Sequence, residues 1–222
     1  MPRFRDTKLY DLGAVAPLIL WYGLGMWSLA PALAAQLGAM AYGFAWVTAL
    51  DAAAKAATLV FLGLQIVLFV LRRLPAAKHE GVVPRAAALF GANLLLLVAL
   101  LPDAHLGAGP SALALFLVVA GTLGGIIALR HLGRSFSIFP QARRLVTSGP
   151  YRYVRHPLYF FDMIATIGTA LQFAQPWATV IALGSIAAQF PRMHYEEKIL
   201  RASYPDYAAY EARTYRLIPG VY

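Results

Sequence analysis

The chain has 222 residues, of which 60% are hydrophobic and only 13% charged, whereas about a quarter are charged in an ordinary soluble domain. The mean hydropathy of +0.62 excludes a disordered chain and argues against a soluble single-core domain. Without cysteine there are no disulfide frameworks, thiolate metal sites or cysteine nucleophiles, and the net charge of +9 must be explained by where the basic residues fall.

From Leu12 to Leu50 there is no Asp, Glu, Lys or Arg, a run longer than the roughly 20 residues one helical crossing needs. It predicts a span over Leu12–Leu29, then a segment Pro31–Val47 that is re-entrant or lies in the interface. Trp21, Tyr22, Trp27, Tyr42 and Trp46 suit interfacial belts. Further spans are expected over Ala52–Leu71, Ala86–Leu101 and Ser111–Leu129. The leading apolar run is too long for a cleavable signal peptide. The last apolar stretch, Leu158–Phe190, has Arg155 before it, Arg192 after it and a polar, proline-bearing break at Gln172–Trp177. A helical hairpin satisfies all three facts. The expected fold is all-α: a polytopic membrane protein with about four full spans and a C-terminal transmembrane hairpin. Residues 1–130 form the N-terminal helices and 131–222 the catalytic core.

In this topology 18 of the 19 Lys and Arg residues lie on one face, Lys55 being the exception. The positive-inside rule then places both termini in the cytoplasm. The charge is a topological signal and a match to anionic lipid headgroups, so no nucleic-acid partner is expected. Gly121-x-x-x-Gly125 reads as a close-packing pattern between helices, and Asp51 and Lys55 read as an i,i+4 pair.

Ionisable residues concentrate in two places, Arg130–Tyr159 and Arg192–Tyr210, which the hairpin brings to the same face. Ser148-Gly149-Pro150 is a turn signal, and Pro157 suits the first turn of the following helix. His156 then sits at a helix N-terminus fit for a carboxylate or phosphate, with Arg152 and Arg155 adding charge and Tyr151, Tyr153 and Tyr159 adding flat faces. The alternative is a basic interfacial loop with tyrosines at headgroup depth. If the final helix continues past Phe190, Arg192 and Glu196 share a face while Glu197 points about 100° further round.

The run Gly149-Pro-Tyr-Arg-Tyr-Val-Arg-His-Pro-Leu-Tyr159 resembles the signature of the isoprenylcysteine carboxyl methyltransferase family, integral membrane enzymes related to phospholipid N-methyltransferases. Arg192-x-x-x-Glu196-Glu197-x-x-Leu200, Tyr207-x-x-Tyr210 and Ile218-Pro-Gly-Val221 are similar to it too, so the resemblance covers about Leu132–Val221. It implies S-adenosylmethionine as cofactor. Tyr151, His156, Pro157 and Tyr159 would line the cofactor site, with Gly149, Pro150 and Arg155 shaping its loop and Glu196 or Glu197 on the other wall. Arg192 would orient the acceptor, a lipidic or amphiphilic molecule, with Arg192 and Glu196 as the catalytic pair. The family's small residue two after the HPxY tyrosine is replaced by Phe161, with Asp162 next, which puts the acceptor in question. Asp162 itself reads as a residue near a helix start, favoured by the dipole.

Methyl transfer from a sulfonium needs alignment more than acid–base help, and the five histidines show no metal-binding spacing, so no metal is expected. No obligate protein partner is implied. The alanine-rich composition points to a bacterial inner membrane, with the active site facing the cytoplasm. Two other readings stand beside this one. One is a nicotinamide-dependent reductase of the related sterol-reductase-like fold. The other is a small transporter, which would place ionisable groups near the midplane and show an internal repeat.

Overall fold

A computed structural model describes residues 7–78, 82–139 and 141–222; Arg3, Arg5 and His79 lie outside them. The chain forms helices α1 (Lys8–Gly13), α2 (Ala16–Met40), α3 (Trp46–Leu71), α4 (Val82–Asn93), α5 (Ala108–Leu132), α6 (Pro157–Leu171), α7 (Trp177–Ser203) and α8 (Tyr207–Ala212). Two-residue strands β1 (Ala77–Lys78) and β2 (Gln141–Ala142) pair antiparallel, Ala77 opposite Ala142. Among the described residues, three helices are long and apolar enough to cross a membrane: Ala16–Met40, Trp46–Leu71 and Ala108–Ser135.

The first apolar run differs from expectation. The segment Pro31–Val47 is neither re-entrant nor interfacial over most of its length: α2 continues through Pro31 to Met40, and α3 begins at Trp46. Proline is tolerated inside apolar membrane helices because neighbouring groups re-satisfy the freed carbonyl, and the Ala- and Leu-rich stretch after it propagates the helix. Asp51 and Lys55 pair within α3 at i,i+4. The expected span Ala86–Leu101 is also built differently. The helix changes at Asn93 into a 3₁₀ segment, Leu94–Leu100. A 3₁₀ helix rises about 2.0 Å per residue against 1.5 Å. The 12 and 7 residues therefore reach about 32 Å, close to the thickness of a bilayer core.

The hairpin forms. Ala104 N–H donates to the Gln172 carbonyl (2.8 Å) and Ala174 N–H to that of Pro102 (2.9 Å), tying the α6–α7 turn to the loop before α5. The chain reverses there, and α7 runs back past Pro191 to Ser203. The two glycines of the pattern face different helices: Gly121 faces α6, joined there by Gly124, whereas a Cβ on Gly125 would lie 3.0 Å from the Phe61 ring of α3. A Cβ on Gly121 would lie 2.5 Å from the Ala165 nitrogen, and one on Gly124 would lie 2.1 Å from the Phe161 ring. The small residues thus let two helices of one chain approach closely. Phe161 fills the groove that Gly124 opens.

The opposite end of the bundle is polar. Phe69, fully buried, stacks between Phe136 (5.2 Å) and Tyr22 (6.0 Å). Above it Asp11 receives Arg72 Nε (2.7 Å) and Arg143 Nη2 (3.0 Å), all three side chains being buried. Burial pushes the Asp11 carboxyl up, but the two guanidiniums outweigh it and hold the group below its ordinary range. This cluster joins α1, the end of α3 and β2, and so fixes the floor under the loop that follows.

Candidate active site

After α5 the chain turns at Gly133 and reaches the 3₁₀ turn Gly149–Arg152. Gly149 has φ +61, and a Cβ there would lie 2.1 Å from the His131 ring. Only glycine fits both the left-handed backbone and the contact. Pro150 opens the turn, and Tyr153 N–H closes it on the Pro150 carbonyl (3.2 Å). Residues 153–156 then run beside 215–216. Tyr215 N–H donates to the Tyr153 carbonyl (3.1 Å), Arg155 N–H to that of Tyr215 (2.8 Å) and His156 N–H to that of Arg216 (3.0 Å). Pro157 starts α6, so His156 is held at the helix entry by its backbone on one side and its ring on the other.

The ring is held by Glu197. His156 Nε2 is 3.1 Å from Glu197 Oε1, and Arg155 Nε (3.0 Å), Arg216 Nε (3.3 Å) and Arg201 Nη2 (3.5 Å) converge on the same carboxylate. A carboxylate only accepts, so Nε2 carries the hydrogen. Burial pushes the Glu197 carboxyl up, but the His156 hydrogen bond and the surrounding cations overcome that and bring it to about 2. Arg155 also donates to the carbonyls of Glu211 (3.0 Å) and Thr214 (2.9 Å). Tyr210, buried, donates to the Tyr151 carbonyl (2.8 Å). The dense tyrosine cluster is thus partly a clamp, and burial raises the Tyr151 and Tyr210 hydroxyls well above the ordinary phenol range.

Glu196 faces elsewhere. It accepts from the Tyr159 hydroxyl (3.0 Å) and lines a cavity of about 560 Å³ together with Tyr151, Arg155, His156, Tyr159 and Arg192. The Arg192 guanidinium lies 5.0 Å from the centroid of the Tyr159 ring. Because α7 stays helical through Pro191, Arg192 and Glu196 share the cavity wall. Glu197, one residue on, borders a separate open basin of about 450 Å³ with Arg201, Glu211 and Tyr215. The two glutamates, about 100° apart on the helix, therefore serve different faces, and Glu196 is the one on the cavity wall. From its polar end the cavity runs into the bundle between Leu24, Leu62, Leu96 and Val118.

Phe161 packs on Gly124, while its neighbour Asp162 lines the cavity and accepts from Gln189 Nε2 (2.6 Å). Gln189 Oε1 in turn accepts from Arg192 Nη1 (2.5 Å). Gln65 also lines the cavity, as does Tyr22, which turns inward instead of joining an interfacial belt. Sequence reasoning missed Gln65 and Gln189. The available signal was that each is an isolated amide within an apolar run, where a polar side chain tends to have a function.

Residues 106–207 match the phospholipid methyltransferase family. The chain is 30% identical over 108 residues to the cobalt-zinc-cadmium resistance protein CzcN of Cupriavidus metallidurans, covering 46% of this chain and 49% of the relative. It is 30% identical over 119 residues to a probable protein-S-isoprenylcysteine O-methyltransferase of Oryza sativa, covering 50% and 62%. The chain thus spans between about half and three-fifths of these relatives' length. The matched region, from just before α5 to the start of α8, is thus similar to the phospholipid methyltransferase family and to probable protein-S-isoprenylcysteine O-methyltransferases. With its apolar helices, this makes the chain an integral membrane protein.

Proposed function

We propose that this protein transfers the methyl group of S-adenosylmethionine to a lipidic or amphiphilic acceptor, by preference a carboxylate, at the cytoplasmic face of the membrane. The observation that carries the reading is the meeting of two sequence motifs: Tyr159 with Glu196 on the cavity wall, 37 positions apart, and His156, which lines the same cavity, with Glu197 behind it, 41 apart. The basic end of the bundle, where these motifs lie, is assigned to the cytoplasm by the positive-inside rule.

The donor set fits the cofactor. Beyond the bond from Tyr159, the Glu196 carboxylate has acceptor capacity left for ribose hydroxyls or an ammonium. Tyr151, His156 and Tyr159 offer aromatic surface to a sulfonium and a purine. The volume of about 560 Å³ is in the usual range for small-molecule sites. In this assignment Tyr151, His156, Tyr159 and Glu196 hold the cofactor, and Gly149, Pro150 and Pro157 shape the loop. Arg155 and Glu197 fasten that loop from behind.

When bound, S-adenosylmethionine supplies a methyl group on a sulfonium, which an ionised oxygen accepts without giving up a proton. The protein's own contribution is alignment and exclusion of water. Arg192, set over Tyr159, binds the acceptor's anion at the boundary between the polar and apolar parts of the cavity. The apolar part, lined by Leu24, Leu62 and Leu96, takes the acceptor's tail. Thermal-shift titration in detergent with S-adenosylmethionine, S-adenosylhomocysteine and NADPH tests the reading. Stabilisation by the first two is expected, at about 2.7 kcal/mol for ligand at 100 times Kd. Stabilisation by NADPH alone would overturn it.

A further inference from the structure

Several polar side chains in the cavity belong to neither motif, Gln65 and Tyr22 among them. Gln65, in α3, is 7% exposed and lines the cavity, yet its amide has no hydrogen-bond partner among the described residues. Tyr22, in α2, lines the same space with its hydroxyl likewise unbonded among the described residues, and lies within electrostatic reach of Arg192 and Asp162. Neither polar end is sealed off in the bundle, so both open onto the cavity.

Gln189 explains why the two charges nearby remain available. Its Nε2 donates to Asp162 (2.6 Å) and to the Gly91 carbonyl (3.2 Å), and its Oε1 accepts from Arg192 (2.5 Å). The amide end facing each partner is therefore fixed by the donors and acceptors present. One amide separates carboxylate from guanidinium, and no direct ion pair joins them among the described residues. The cavity presents an anion and a cation close together, with the Tyr22 hydroxyl within electrostatic reach and the Gln65 amide on the same cavity's wall.

We propose that Tyr22, Gln65 and Asp162 form a subsite that reads the acceptor's head. Arg192 takes its anionic oxygen, and Asp162 takes an N–H or O–H borne beside that anion. The acceptor is then an amphiphilic acid with a hydrogen-bond donor next to its carboxylate. This rests on the methyltransferase reading and deepens it. It also divides the labour: the cofactor residues lie within the family-matched stretch 106–207, whereas Tyr22 and Gln65 lie before it, on helices that set which acceptor is chosen.

The full chain in detergent is titrated with S-adenosylhomocysteine, then assayed with labelled S-adenosylmethionine and three probes: N-dodecanoylglycine, tetradecanoic acid and dodecylamine. N-dodecanoylglycine should be preferred over tetradecanoic acid by about 10-fold in kcat/KM, since the plain acid offers Asp162 no second donor beside Gln189. Gln65→Leu, Tyr22→Phe and Asp162→Asn should each shrink that ratio while binding S-adenosylhomocysteine as the wild type does. Three variants, checked for thermal stability, guard against one failing to fold. No preference in the wild type, a ratio that all three variants leave unchanged, methylation of the amine instead, or cofactor binding without turnover of any probe overturns the subsite. Absence of S-adenosylhomocysteine binding in the wild type would overturn the methyltransferase reading beneath it.

Discussion

The adjacent glutamates give the sharpest contrast. Glu197 is 3% exposed and faces His156, Arg155, Arg216 and Arg201. Its carboxyl sits at about 2 against an ordinary 4.5, a difference that corresponds to about 3 kcal/mol of stabilisation. Glu197→Gln removes that, about 3 kcal/mol, and leaves the buried His156 ring and the part-buried Arg155 and Arg216 without their carboxylate. For a chain of this size the expected fall in Tm is about 6–12 °C. Glu196→Gln loses one hydrogen bond and should cost only about 1 kcal/mol, but it should weaken S-adenosylhomocysteine binding. The pH dependence has a definite sign. Because the folded-state value is depressed, the Glu197 contribution is complete above about pH 4.5 and is lost as pH falls towards 2. Wild type and Glu197→Gln therefore differ most near neutrality and converge in acid. Thermal unfolding of both variants across pH, with calorimetric titration, checks this. Equal stability loss in the two variants, or a gap that widens in acid, would refute the assignment.

Other outcomes follow from single contacts. Gly149→Ala should abolish cofactor binding: the left-handed backbone alone costs about 1–2 kcal/mol, and the new Cβ displaces His131; calorimetry reads the loss. Phe161→Ala should destabilise the α5–α6 contact by about 3 kcal/mol while leaving the affinity for S-adenosylhomocysteine unchanged, since the ring packs on Gly124 and not in the cavity. With no native cysteine, Arg144→Cys and Arg213→Cys should react with an impermeant maleimide only from the cytoplasmic side, and His105→Cys only from the other. Labelling of all three from one side would contradict the topology.

The hairpin was legible because its signals are local and mutually consistent: arginines at both ends of an apolar stretch and a Gln-Pro break between them. Arg192 and Glu196 sharing a wall was legible from helical spacing alone. The division between Glu196 and Glu197 was visible as an angle, but its consequence depended on Arg201 and Arg216 arriving from elsewhere. Pro31 misled because proline rules from water overstate its breaking power in an apolar helix. Phe161 looked like an intrusion into the pocket; its partner Gly124 is 37 positions away on another helix. Asp11, Arg72 and Arg143 are 61 and 132 positions apart, and no periodicity links them. Gln65 and Tyr22 gain meaning only at the cavity they line, and Gln189 only beside Asp162 of another helix.

The central claim is tested most directly by determining the structure of the protein bound to S-adenosylhomocysteine. The account predicts the nucleoside in contact with both the His156–Tyr159 segment and Glu196, with the sulfur facing the Arg192 side of the cavity. Density for the nucleoside in the basin lined by Arg201, Glu211 and Tyr215, with the main cavity empty, would contradict it.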